Sequence, residues 1–181
     1  MRLVFKILSQ GPDLEWEFID GSIVKAHQHS SGAAKKSEGG DHGIGKSVAG
    51  NTSKIHLAVD SNGNPIEFEV SGGEVHDSRV APDLIAKLPP SDFLIADTGY
   101  DSENLREQIR RKKGTPVIPR KKNSKTGNED IDWDLYKCRH QVENNFARLK
   151  HFRGIATRFH KLKRNFLGAL TLVCSYFWLP L

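Results

Sequence analysis

Two apolar, strand-like runs in this chain each deliver an acid, and no other feature narrows the available folds as far. Asp20 lies within Glu17-Phe18-Ile19-Asp20-Gly21-Ser22-Ile23-Val24, and Asp97 closes Phe93-Leu94-Ile95-Ala96-Asp97. A carboxylate among buried apolar side chains is costly unless a cation or a hydrogen-bond network holds it. The fold must therefore bring donors or positive charge to two strand positions far apart in sequence. A third acid has a different setting. Tyr136, Arg139, Glu143 and Lys150 follow one another at steps of three, four and seven residues, which return a helix to one face in a stripe roughly 60° wide. An exposed, salt-bridged helix face would explain those four residues taken alone. Beside Asp20 and Asp97, a carboxylate framed by two cations and a phenol suits a metal ion and a phosphodiester better.

The periodicity along the chain predicts an α/β domain. Its 181 residues are enough for one sizeable core and too few for two. Residues 1–14 read as an N-terminal remnant or linker, and 15–181 as one catalytic-sized domain. Residues 15–26 and 53–59 read as strands, and the loop between them, at about 28–52 and rich in Gly, Ser and Lys, is expected to be mobile. Asn62-Gly63-Asn64-Pro65 is a turn into the alternating run Ile66-Glu67-Phe68-Glu69-Val70, which closes a hairpin. A helix over 78–88, a strand buried on both faces over 93–96, a helix over 102–113 and a short strand over 115–118 follow. One long helix is predicted over 132–152 and a last one over 165–178.

The net charge of +5 is modest but unevenly placed. From Lys137 to Arg164 nine Lys and Arg residues meet one acid, Glu143, with Phe146, Phe152 and Phe159 interleaved. Arg110-Arg111-Lys112-Lys113 and Arg120-Lys121-Lys122 form an earlier basic run. Such blocks track a nucleic-acid backbone more often than they form a merely solvated face. Arg139, Arg148, Lys150, Arg153, Lys161 and Arg164, with Tyr136, are the candidate DNA contacts. Cys138 and Cys174 lack the spacing of a disulfide framework or a zinc site and point to reduced thiols in the cytoplasm. The apolar tail at 166–181 falls short of the roughly 20 residues that span a bilayer, so it reads as a core helix. His27 and His29 suit metal ligation if extended, but read better as a surface pair. His76-Asp77 reads as a structural or supporting pair. The Gly45-Lys46-Ser47 fragment has no apolar strand leading into it and is not a phosphate loop.

These residues resemble the Asp-Asp-Glu transposases of bacterial insertion sequences, in the insertion-sequence-four and insertion-sequence-five branch. The late motif of that branch is Tyr, two residues, Arg, three residues, Glu, six residues, Lys; Tyr136, Arg139, Glu143 and Lys150 meet it without a gap. The resemblance also covers Ile19-Asp20-Gly21-Ser22 with Ala26-His27-Gln28-His29, Lys54-Ile55-His56-Leu57-Ala58-Val59-Asp60, and Ala96-Asp97 with Gly99-Tyr100-Asp101-Ser102. It departs at Thr98, where the family usually has a basic residue. It implies a ribonuclease-H-like fold, a mixed sheet whose first three strands are antiparallel, with flanking helices. It also implies Asp20, Asp97 and Glu143 as catalytic acids and as ligands of two Mg²⁺ or Mn²⁺ ions, the arrangement that two-metal phosphoryl transfer uses. Asp60 and Asp101 lie near triad positions, but only Asp97 directly ends an apolar run.

The resemblance implies two successive reactions: water attacks a phosphodiester at the element end, and the freed 3′-hydroxyl attacks target DNA. The implied partners are double-stranded DNA, as transposon ends and as target, and further copies of the chain in a homo-oligomeric complex; no membrane is involved. Family members carry an end-binding region ahead of the first acid, and the stretch before Asp20 is too short for a helix-turn-helix. An N-terminal product of another reading frame is therefore expected, unless the chain is a truncated copy. Two other readings stay open: a ribonuclease-H-like nuclease without strand transfer, and a non-catalytic DNA-binding fragment.

Overall fold

The computed structural model describes residues 2–31 and 42–179. Its strands are β1 (Trp16–Ala26), β2 (Gly45–Ser47), β3 (Gly50–Val59), β4 (Pro65–Gly72), β5 (Phe93–Ala96), β6 (Thr115–Val117) and β7 (Thr157–Arg158). Its helices are α1 (Arg2–Leu8), α2 (Gln28–Ser31), α3 (Asp77–Lys87), α4 (Glu103–Arg111), α5 (Trp133–Lys137), α6 (His140–His151), α7 (Arg153–Ala156) and α8 (Lys163–Phe177). β3 runs antiparallel to both β1 and β4, while β5 runs parallel to β1 and β6 parallel to β5. Three antiparallel strands followed by two parallel ones is the mixed sheet expected. Parallel neighbours need a crossover, and α3 and α4 supply the two. The β3–β4 turn is set by Asp60, whose carboxylate accepts from the N–H groups of Asn62 at 3.0 Å and Asn64 at 2.7 Å, and by Gly63 at φ 78°.

Strand alternation sorts β1 into two faces. Phe18 and Val24, with Leu57 and Val59 of β3, join Val142, Phe146 and Leu149 of α6 and Phe166 and Leu170 of α8 in one core. Ile19, Ala58 and Ala96 join Leu84 and Ile85 of α3 and Leu105 and Ile109 of α4 in the other. Asp20 therefore belongs to the α6 face, and Gly21 to the α3 face.

Four expectations change. The single helix over 132–152 is two helices, α5 and α6. Cys138 and Arg139 keep helical dihedrals, but the N–H groups of Cys138, Arg139, Gln141 and Val142 bond three residues back instead of four, which tightens the turn and resets the face. Within the stretch 1–14 expected as a remnant or linker, residues 2–8 are helical. They form α1, too short to persist by itself, held by Phe5, which is buried against Phe68 with ring centroids 5.5 Å apart. The polar loop at about 28–52 lies partly outside the described residues, and its described ends carry α2, β2 and the start of β3.

The fourth change concerns Arg158, which is not on the surface with the basic block. Fully buried, it donates to the carbonyls of His42, Gly43, His160 and Lys161 and to Ser53 Oγ, and lies 5.0 Å over the Phe166 ring. The apolar tail does form a core helix: Phe166, Leu170, Cys174 and Phe177 of α8 are buried. Among the described residues no helix is long and apolar enough to cross a membrane.

Candidate active site

β1 is paired along one edge with β5 as far as Ile19 beside Ala96, and with β7 from Lys25 beside Thr157. Among the described residues no strand pairs with 20–24 on that edge. Asp20 and Asp97 are the next residues after the Ile19–Ala96 pair, so the parallel register sets them side by side where the edge opens. Each is held by a neighbouring backbone donor: Gly21 N–H to Asp20 Oδ1 at 2.7 Å, and Gly99 N–H to Asp97 Oδ1 at 2.8 Å. The second bond makes Asp97 the cap of the short 3₁₀ turn Thr98–Tyr100.

Arg139 connects this pair to the third acid. Its Nη1 donates to Asp20 Oδ2 at 3.0 Å and its Nη2 to Glu143 Oε1 in the first turn of α6. One guanidinium thus forks between a strand acid and a helix acid, as its planar donor geometry allows. Burial raises the Asp20 pKa above the usual carboxylate value; the Gly21 N–H and Arg139 pull it back, and the charge of Asp97 adds to the rise. Burial works against the charge on Arg139, but Asp20 and Glu143, with Tyr136 and Asp97 behind them, raise its pKa overall. Among the described residues no three His, Cys, Asp or Glu side chains are grouped closely enough to hold a metal ion. The donor set still fits a hard cation: carboxylate oxygens only, with two half-buried acids side by side that the single Arg139 charge does not fully offset.

The expected DNA contacts separate. Tyr136 is half-buried against the core and edge-on to Trp133, with centroids 5.7 Å apart. Arg139, expected at a phosphate, lies between the acids. Lys150 is exposed on the same face of α6 as Glu143, about 10 Å further along. Arg148 projects from a different face, 4.1 Å over the Phe177 ring of α8. Arg153, Lys161 and Arg164 are exposed around α7 and the start of α8.

The rival acids have other work. Asp60 makes the β3–β4 turn, while Asp101 accepts from Arg106 Nη2 at 2.7 Å and from the Lys121 N–H at 2.9 Å. The His27 ring lies between those of His29 and Phe159, at 4.8 and 4.7 Å. His76 caps α3 by accepting from the Ser78 N–H.

What sequence reasoning missed lies on the other face of β1. There Asp77 Oδ1 stands 3.2 Å from Lys54 Nζ and 3.4 Å from His56 Nδ1, and the Tyr100 hydroxyl, in the same core, is buried without a hydrogen-bond partner. A glycine inside a strand directly after an acid was the available signal, because it marks a close approach by another group.

This strand order, with acids where β1 and β5 part and a third on a following helix, defines a ribonuclease-H-like domain. Residues 18–178 match the family described as Transposase DDE domain, and the chain belongs to that family. DNA cleavage and strand transfer are the reactions of the family, and divalent metal ions are its general requirement. The chain is 34% identical over 128 residues to the protein assigned as transposase for insertion sequence element IS6501 of Brucella ovis, spanning 71% of this chain and 98% of that one. It is 32% identical over 120 residues to the corresponding protein of element IS402 of Burkholderia cepacia, spanning 60% of this chain and 54% of that one. A piggyBac transposase in a synaptic complex with hairpin DNA shares the fold, with a TM-score of 0.53 at 12% identity over 91% of this chain and 45% of that one.

Proposed function

We propose that this domain cleaves DNA at the ends of an insertion sequence and joins the freed 3′-hydroxyl to target DNA, with Asp20, Asp97 and Glu143 as the metal-holding acids. The observation that carries the reading is the β1–β5 register, which sets Asp20 beside Asp97 at an open stretch of sheet edge, with Glu143 tied in through Arg139. Oxygen donors alone suit Mg²⁺ or Mn²⁺ rather than a soft metal. Two such ions, when bound, supply Lewis acidity and an ionised nucleophile at the phosphodiester.

The chain's own groups do the rest. The N–H groups of Gly21 and Gly99 orient Asp20 and Asp97, so that neither carboxylate swings freely. Arg139 presents a fork that matches carboxylate and phosphate alike, at the place where a phosphodiester would lie. Lys150 holds the DNA backbone as a point charge further along α6, and Arg153, Lys161 and Arg164 extend the basic surface. Tyr136 steadies α5 and flanks Arg139. The partners in this reading are double-stranded DNA, a second copy of the chain and an N-terminal product that recognises the element ends, all in the cytoplasm.

Mn²⁺-supported joining of a pre-cut DNA end to a plasmid is the test, with the chain alone and fused to its upstream reading frame. Asp20→Asn, Asp97→Asn and Glu143→Gln should each lose joining while keeping DNA affinity. Near wild-type joining in any of them removes that acid from the site. Cleavage without joining by the wild type points to the nuclease reading, and binding without either reaction, in both forms, to the DNA-binding fragment.

A further inference from the structure

Asp20 has to hold its position where, among the described residues, no strand pairs with β1 on the β5 side. On the β3 side the register continues, with Gly21 opposite His56 and Ile23 opposite Lys54, so these four residues share the α3 face. Gly21 leaves a gap on that face, and Asp77 fills it: a Cβ at Gly21 would collide with Asp77 Oδ1 and come within 3.2 Å of Lys54 Cδ. Asp77 is the first residue of α3, where a negative charge is favoured by the helix N-terminus. The Lys54 ammonium reaches both of its oxygens, at 3.2 and 3.3 Å, and the Val75 carbonyl at 2.9 Å.

His56 closes the cluster. Its Nε2 lies 2.8 Å from Ser71 Oγ, and that hydroxyl donates to the Gly72 carbonyl. Nε2 therefore carries the ring proton, and the Nδ1 lone pair faces Asp77 Oδ1, which leaves both atoms without a hydrogen-bond partner. A patch that only filled the core beneath α3 would be more stable if apolar. The Tyr100 hydroxyl is buried without a hydrogen-bond partner among the described residues, and its pKa is raised first by that burial and then by the charges of Asp77, Asp20 and Asp97.

The geometry points to Asp77, anchored by Lys54, as a positioning residue for the DNA-processing reaction: pressed on Gly21 from the opposite face of β1, it fixes where Asp20 presents its carboxylate. The inference rests on Asp20 being a metal-holding acid. Its test is Mn²⁺ binding to the full chain by calorimetry without DNA, beside the thermal midpoint and the Mn²⁺ needed for half-maximal joining.

Asp77→Asn removes the charge at constant size, and Gly21→Ala drives a methyl group against Asp77. Each should weaken Mn²⁺ binding about tenfold or more and raise the Mn²⁺ requirement by a similar factor, as loss of groups that orient metal ligands does elsewhere. Leu84→Ala, a cavity in the same core under α3, measures what lost stability alone does and should leave Mn²⁺ binding unchanged. If either test variant fails to fold, the other carries the comparison. Binding by Asp77→Asn and Gly21→Ala no weaker than by Leu84→Ala, while Asp20→Asn is impaired, overturns this inference alone. Unimpaired binding by Asp20→Asn overturns the metal assignment and this inference with it.

Discussion

On the α6 face of β1, Asp20 meets a cation that is 21% exposed and whose other end holds a Glu143 side chain that is 52% exposed. On the α3 face, Glu17 and His56 are each 1% exposed, and Asp77 is pinned between Lys54 and the backbone at Gly21. Charges within reach of water can change partners at little cost, because exposed ion pairs are worth at most about 1 kcal/mol. The sealed Glu17 and His56 side chains cannot, and their influence is on how stability varies with pH, while Asp77, 23% exposed, is held by its contacts rather than by burial. One strand thus carries exchangeable electrostatics on one side and fixed electrostatics on the other.

The contrast is tested most severely at the acids. Asp20→Asn and Asp97→Asn should lower joining by at least about a thousandfold, while the thermal midpoint holds or rises because the desolvated charge is gone. A midpoint that falls with activity would make the α6 face structural too.

The next effect is on stability. Burial raises the Glu17 pKa from 4.5 to about 7, against the Ser91 hydroxyl and Lys112, and lowers His56 from 6.5 to about 4, against Asp77. Glu17 therefore contributes stability that is complete below pH 4.5 and lost as pH rises to about 7; His56 contributes stability that is complete above pH 6.5 and lost as pH falls toward about 4. The two spans, each about 3 kcal/mol, oppose one another in the wild type. Urea unfolding should show Glu17→Gln matching the wild type at pH 4 and exceeding it by up to about 3 kcal/mol at pH 8. His56→Gln should show the opposite trend, gaining on the wild type as pH falls. Differences from wild type that do not change with pH would show that the α3 face is not sealed.

Smaller still is Arg139→Ala, expected to cost less than about 1 kcal/mol in urea unfolding because both of its ion pairs are partly exposed. A loss of several kcal/mol would move Arg139 to the fixed side of the comparison. Lys150→Ala should be the mildest: DNA affinity falls for all sequences alike, and the log–log salt slope flattens by roughly one unit. An unchanged slope returns Lys150 to a solvated helix face.

Asp20 and Asp97 were legible because a carboxylate in an apolar run has few inexpensive explanations, and the hairpin because Asn62-Gly63-Asn64-Pro65 states its own turn. The break between α5 and α6 was not, since Lys137-Cys138-Arg139 contains no Gly or Pro and the change is one of hydrogen-bond spacing. α1 was hidden because seven residues carry too little periodicity, and what stabilises it is Phe5 meeting Phe68 across the fold. Arg158 looked like its basic neighbours; only the carbonyls gathered around it from the 42–43 and 160–161 segments set it apart. Asp77 was noticed with His76, and Gly21 within its strand signalled that some group comes close, but that the group is Asp77 is a contact between distant segments that no local pattern encodes.

The Arg139 fork alters what a metal titration of this protein means. If Asp20 and Glu143 hold the metal as proposed, they do not simply take up an ion but trade the shared Arg139 cation for it. The observed affinity is the intrinsic one reduced by the fraction of molecules in which the fork is open. Anything that competes for the guanidinium, a DNA phosphate above all, enlarges that fraction and sharpens the apparent affinity with no new ligand to the metal. Titrations with and without DNA would then give different constants for an unchanged set of oxygen atoms.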